Sequence, residues 1–205
     1  MQLPRLYPII DLEFSAHPME FLLQEFAAAG LPWVQLRDKK ANSRQLFANA
    51  RRVVELAQRH GLTAIVNDRA DVAWLCGAQG VHVGQEDLPV EHARRIVGAE
   101  KIVGCSTHNL AQALEGERST ADYLAIGPVF ATISKANPDP IVPWAELLEI
   151  RSQVKKPLVA IGGITSRNAA QLFDAGLDSV AVIRDIVSAP DIRSKISQFL
   201  KAAGG

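Results

Sequence analysis

Residues 63–89 read TAIVNDRADVAWLCGAQGVHVGQEDLP and hold one complete strand–helix–strand unit. The apolar run from Ile65 (IVNDR) breaks into polar residues at Asn67 and Asp68, and the run from Val81 (VHVGQED) breaks at Gln85 to Asp87. Between them Asp68-Arg69 suits a helix start, and Pro89 suits another. The runs are almost continuously apolar rather than alternating, as strands of a parallel sheet are when both faces are buried.

The same pattern repeats outward in both directions. Further runs are YPIID from Tyr7, VQLRDKK from Val34, IVGCSTH from Ile102, LAIGPVF from Leu124, LVAIGGI from Leu158 and VAVIRD from Val180. Helical periodicity fills the gaps: 18–29, 43–60, 109–118, 143–154, 166–175 and 192–203, several stopping at a glycine such as Gly30 or Gly61. Eight strands alternating with helices predict an α/β fold, a (β/α)₈ TIM barrel formed by residues 1–205 as a single domain, because no linker or low-complexity stretch divides the chain. At 205 residues each unit has about 25, so the loops are short. The exception is 131–143 (ATISKANPDPIVP), which is expected to be mobile without ligand because its only apolar anchors are Ile133, Ile141 and Val142.

Composition excludes several classes. Lysine plus arginine and aspartate plus glutamate number 22 each, so the formal net charge is zero and no basic stripe marks a nucleic-acid binder. No run approaches the ~20 apolar residues of a membrane span, and MQLPRLYPII lacks the apolar core of a signal peptide. Cys76 and Cys105 lie in or beside apolar segments and read as buried free thiols, which suits a reducing cytoplasm. Trp33, Trp74 and Trp144 read as packing residues, and His82 as a satisfied core histidine. The sequence leaves room for a homo-oligomer without marking an interface.

Barrels of this kind do their chemistry at the carboxyl ends of the strands. There the sequence places Arg37, Lys39, Asn67, Asp68, Asp87, Ser106, Lys135 and the Gly162–Gly163 pair. Asp68 and Asp87 follow successive strands and suit Mg²⁺, which takes one or two carboxylates and completes its shell with water and phosphate. Helix capping is the competing role for each. Arg37 and Lys39, two residues apart, are expected to point the same way and, with Lys135, to face a metal-bound pyrophosphate. The glycines after the seventh strand and the VAVIRD turn after the eighth match the recurrent phosphate site of these barrels. Ser106 or Thr107 either caps the next helix or binds ligand. No acid partner makes a nucleophilic triad there.

Taken in order, QLRDK, NDRADVA, GVHVGQEDLP, GCSTHN, YLAIGPVFATISK and PLVAIGGIT resemble the thiamine phosphate synthase family, from about Leu6 to Ile186. The resemblance implies a (β/α)₈ transferase that joins 4-amino-2-methyl-5-hydroxymethylpyrimidine diphosphate to 4-methyl-5-(2-phosphooxyethyl)thiazole, releasing pyrophosphate. It implies pyrimidine contact by Gln35, diphosphate contact by Arg37, Lys39, Asn67, Ser106 and Lys135, and Mg²⁺ at Asp68 and Asp87. Thr132 and Ser134 would contact either phosphate group. Gly163 would meet the thiazole phosphate through its backbone, and Ile183 with Arg184 would complete that end. Three positions depart from the family pattern. Arg184 stands where a serine usually touches the thiazole phosphate, Ser134 stands where threonine is usual, and ANPDPIVPW replaces a glycine-bearing loop. Two alternatives stay open. One is the related thiazole tautomerase, in which a histidine stands at the position of Pro128. The other is a non-catalytic barrel that binds thiazole phosphate or thiamine phosphate.

Overall fold

The computed structural model describes residues 3–132 and 139–204. Its eight strands are β1 (Leu6–Asp11), β2 (Trp33–Arg37), β3 (Thr63–Asn67), β4 (Gly80–Val83), β5 (Ile102–Thr107), β6 (Tyr123–Ile126), β7 (Leu158–Ile161) and β8 (Ser179–Val182). All neighbours are parallel, and β8 pairs back onto β1 to close a (β/α)₈ barrel. Each of the eight apolar runs in the sequence is one of these strands. Closure removes both sheet edges, and a helix follows every strand.

The helices are α1 (Met19–Ala28), α2 (Ser43–His60), α3 (Ala70–Leu75), α4 (Val90–Val97), α5 (Leu110–Arg118), α6 (Trp144–Gln153), α7 (Ala169–Asp174), α8 (Arg184–Val187) and α9 (Ile192–Ala202). The longest, α2, matches its predicted span residue for residue. Asn42 caps its start by accepting the Gln45 N–H at 3.0 Å, and Gly61 stops it in the left-handed conformation at φ 71°. The helix expected over 166–175 begins later, at Ala169, because Asn168 folds back to accept the Thr165 N–H at 2.7 Å. The single turn α8 is too short to show a helical period and was not foreseen.

Two apolar layers result from the two buried faces of the sheet. Leu22, Leu23 and Phe26 of α1 join Val53 and Val54 of α2 and the outward strand residues in the layer under the helices. Inside the barrel, Tyr7, Ile9, Trp33, Ile65, Tyr123, Ala125, Val159 and Ala181 form a second cluster. Large side chains there face small ones. A Cβ on Gly104 would lie 2.1 Å from the Tyr123 ring, so only glycine lets that ring cross β5.

Two tryptophans depart from the packing role expected of them. Trp74 is 60 % and Trp144 41 % exposed, because α3 is held through Ala70, Val72 and Ala73 and α6 through Leu147 and Ile150. Trp33 is buried inside the barrel. Cys105 is buried, whereas Cys76 at the end of α3 is only half-buried. Among the described residues no helix is long and apolar enough to cross a membrane.

Candidate active site

The strand ends gather a set of charges around the barrel mouth. Register pairs Asp11, the last residue of β1, with Arg37, the last of β2. Their side chains form an ion pair between Oδ2 and Nη1, with Asp11 3 % and Arg37 13 % exposed. The other Asp11 oxygen accepts the Glu13 N–H at 3.1 Å. Asp11 was absent from the expected site residues, although it ends an apolar run just as Asn67 does. The rule that chemistry collects at strand ends was the signal for it.

The second cluster lies across β3 and β4. Asp68 follows the last residue of β3 and adopts φ 66°, a left-handed conformation that aspartate tolerates better than most side chains. Its N–H donates to the His82 carbonyl at 2.7 Å, fixing the turn. Its carboxylate meets Lys39 in an ion pair and lies in hydrogen-bond contact with Asp87. Burial first, then the contact with Asp87, push the Asp68 carboxyl up to about 6, against the opposing pull of Lys39. Asp87, in the loop after β4, accepts the Gly84 N–H through Oδ2 at 2.7 Å. Neither carboxylate caps a helix. The N-cap positions of α3 and α4 are Arg69 and Pro89, and neither start has a side-chain cap. Lys39 and Arg37 do not share a direction either: β2 ends at Arg37, so strand alternation stops there and the two cations reach different carboxylates.

Below the mouth a polar chain crosses the apolar interior. Gln35 donates from Nε2 to the Tyr7 hydroxyl at 2.9 Å, and the Tyr7 and Tyr123 hydroxyls are 3.3 Å apart. His82 meets Tyr123 through Nδ1 at 2.9 Å and Ser106 Oγ through Nε2 at 2.8 Å. His82 is therefore a satisfied interior histidine, yet one that reaches the mouth through Ser106. Ser106 and Thr107 do not cap α5. Asn109 does, accepting the Gln112 N–H at 2.9 Å, while Thr107 donates to the Ala125 carbonyl at 3.2 Å.

The opposite rim is built from backbone. Gly162 and Gly163 hold φ 98° and 65°, and a Cβ on Gly163 would lie 2.3 Å from the Ala131 carbonyl oxygen. The glycine pair thus lets the β7 loop close against residues 128–131. Phe130 secures this by donating its N–H to the Gly162 carbonyl at 3.1 Å. Ile183 precedes α8, and Arg184 extends back so that its guanidinium lies 5.1 Å from the Phe14 ring in the loop after β1. Thr132 is half-buried beside this rim. Ser134 and Lys135 fall at 133–138, outside the described residues, and so do six of the thirteen residues of the loop expected to be mobile. Its far side is anchored: Val142 is buried and donates its N–H to the Pro128 carbonyl at 2.9 Å.

The donor set can be tested against a metal. Among the described residues no three His, Cys, Asp or Glu side chains converge as a complete cage. Two carboxylates in contact, with lysine as their counter-charge, are what a hard divalent cation with a shell completed by phosphate and water requires. The residues fit such an ion.

The family model for thiamine monophosphate synthase matches residues 6–186. The thiamine-phosphate synthase of Koribacter versatilis is 47 % identical over 98 % of this chain and 96 % of its own length. That of Shouchella clausii is 43 % identical over 97 % and 95 %. Among solved structures, thiamine phosphate pyrophosphorylase from Pyrococcus furiosus superposes with a TM-score of 0.86 at 34 % identity, covering 98 % of this chain and 95 % of that one. With a closed barrel, paired carboxylates and cations at one mouth, and relatives matched from end to end, this chain belongs to the thiamine monophosphate synthase family.

Proposed function

We propose that this chain is a cytoplasmic transferase that joins 4-amino-2-methyl-5-hydroxymethylpyrimidine diphosphate to 4-methyl-5-(2-phosphooxyethyl)thiazole, giving thiamine phosphate and pyrophosphate. The observation that carries the reading is the convergence of Asp68, Asp87 and Lys39 beside the Arg37–Asp11 pair. It supplies negative charge for a cation and positive charge for a diphosphate at one mouth. The full-length likeness to thiamine-phosphate synthases supports the same reading.

Asp68 and Asp87 would hold Mg²⁺, which supplies electrostatic stabilisation of the departing pyrophosphate when bound. Arg37, Lys39, Asn67, Ser106 and Lys135 hold the diphosphate oxygens. Asp11 keeps the Arg37 guanidinium in place, so its donors meet the leaving group without reorganising. Gln35 orients the aminopyrimidine. As the carbon–oxygen bond to the diphosphate breaks, electron density from the 4-amino group spreads over the ring and stabilises the methylene cation. The thiazole nitrogen then forms the new bond. Gly163 and Ile183 meet the thiazole phosphate through backbone N–H groups. Arg184 adds a guanidinium where the family has a serine hydroxyl, and Thr132 and Ser134 would contact either phosphate group. No protein nucleophile or base is required, which accords with the missing triad.

The tautomerase alternative has no support at Pro128, whose ring carries no proton to transfer. The direct test is thiamine phosphate formation by purified protein supplied with both substrates and Mg²⁺. Metal-dependent product supports the synthase. Absence of product from folded protein refutes it and returns the chain to the binding-only alternative.

A further inference from the structure

The hydrogen bonds inside the barrel have a direction as well as a set of partners. Burial makes the Tyr7 and Tyr123 hydroxyls much weaker acids than an ordinary phenol, so each oxygen keeps one proton to give. Tyr7 accepts from Gln35 Nε2, which leaves its own proton for Tyr123 at 3.3 Å. Tyr123 then gives its proton to His82 Nδ1 at 2.9 Å. A neutral imidazole that accepts at Nδ1 carries its proton on Nε2, and that proton is donated to Ser106 Oγ at 2.8 Å. Ser106 has received one hydrogen bond from below, so its own hydrogen is directed to the mouth.

Turning the Gln35 amide over reverses every link. Its oxygen accepts from Tyr7, Tyr7 accepts from Tyr123, and Tyr123 accepts from a proton on His82 Nδ1. The bare Nε2 then accepts the Ser106 proton, leaving only lone pairs toward the mouth. Each group keeps one proton in both arrangements, so the reversal changes hydroxyl rotamers and one tautomer without net charge.

We propose that Tyr7, Tyr123 and His82 are positioning residues forming a reversible hydrogen-bond relay, through which the amide orientation of Gln35 decides whether Ser106 offers a proton or a lone pair to the diphosphate. It rests on the assignment of Gln35 to the pyrimidine and Ser106 to the diphosphate. An exocyclic amine on the pyrimidine donates to Gln35 Oε1 and holds Nε2 on Tyr7. The correct ring thereby sets Ser106 as a donor to the anion at the far end of the same substrate. A pyrimidine with a carbonyl at that ring position demands an N–H from Gln35 and favours the opposite polarity, which turns lone pairs toward the diphosphate. Discrimination between the two rings is then read partly at the leaving group.

The test is the tautomer of His82, read by long-range ¹H–¹⁵N correlations in ¹⁵N-histidine-labelled protein and assigned with His82→Gln among the five histidines. The wild type is expected to show the Nε2–H form. Gln35→Glu, read at a pH where its ¹³C carboxyl shift shows it ionised, places an acceptor under Tyr7 and is expected to switch His82 to the Nδ1–H form, three side chains away. In a Tyr7→Phe background the same change at Gln35 is expected to leave the tautomer unmoved. Tyr7→Phe alone should lower kcat/KM for the pyrimidine diphosphate about tenfold and leave KM for the thiazole phosphate unchanged. An Nδ1–H or doubly protonated His82 in the wild type overturns the relay, and this result needs no variant to fold. An unchanged tautomer in folded Gln35→Glu with its carboxyl ionised also overturns it. Thiamine phosphate formation by the same wild-type sample is a separate readout, so the relay can fail while the synthase assignment stands.

Discussion

Replacing Asp68 with asparagine should stabilise the metal-free protein while abolishing its activity, and the gain should depend on pH. Asp68 is 18 % exposed, faces Asp87 and titrates at about 6 instead of 3.8. Because the folded-state value is raised, the stability that protonation contributes is fully present below pH 3.8 and is lost as pH rises through 6. A shift of about two units at ~1.4 kcal/mol per unit amounts to about 3 kcal/mol at pH 7. The opposing attraction of Lys39 is already contained in that net shift. Asparagine matches the shape of a protonated aspartate and tolerates the left-handed backbone at this position. The variant should therefore exceed the wild type by less than about 1 kcal/mol at pH 4 and by about 3 kcal/mol at pH 7. For a chain of this length that is a rise in Tm of about 6–12 °C. Thermal unfolding in chelator from pH 4 to 7 measures it. Added Mg²⁺ and pyrophosphate should then narrow the gap at pH 7, because only the wild type binds them. A gap that does not change with pH, or a less stable variant at pH 7, would refute the reasoning.

Other consequences follow from single contacts. Asp11→Ala leaves the largely buried Arg37 without its carboxylate and should cost about 3 kcal/mol in urea unfolding, with a raised KM for the pyrimidine diphosphate. Asp11→Asn should recover part of both. Gly163→Ala forces a side chain into positive φ and against the Ala131 carbonyl, so stability should fall by about 2 kcal/mol or more and Tm by at least ~4 °C. Burial pushes the Cys105 thiol up to about 11, which leaves about one thiolate in a thousand at pH 8. A thiol reagent should therefore label native protein at Cys76 alone and reach Cys105 only on unfolding. Trp74→Gln on the outer face of α3 should change stability by no more than about 0.5 kcal/mol.

The signals carried by the sequence are local. The runs at Ile65, Val81 and their six counterparts are doubly buried strands, and a stop such as Gly61 needs only its own backbone freedom to end α2. Strand ends in a barrel converge, so naming Asn67, Asp68, Asp87 and Ser106 as one mouth required only the order of elements. The resemblance in NDRADVA and GVHVGQEDLP added roles to those positions. The same locality misled wherever a partner is distant. Alternation suggested that Arg37 and Lys39 act together, but the strand stops between them. Helix capping seemed equally suited to Asp68 and Asp87, but the cap positions belong to Arg69 and Pro89.

The amino-acid sequence alone determined the barrel, its strand ends and the chemical types assembled there, because hydrophobic period and loop placement are written within a few residues of each element. Tertiary structure alone decided who faces whom. Asp11 meets Arg37 because parallel register aligns the ends of β1 and β2. Gln35 is linked to Ser106 because Tyr7, Tyr123 and His82 project into one closed interior. Gly163 must be glycine because the chain returns at Ala131. These pairings depend on closure of the sheet, a property of all eight strands together that no single segment encodes.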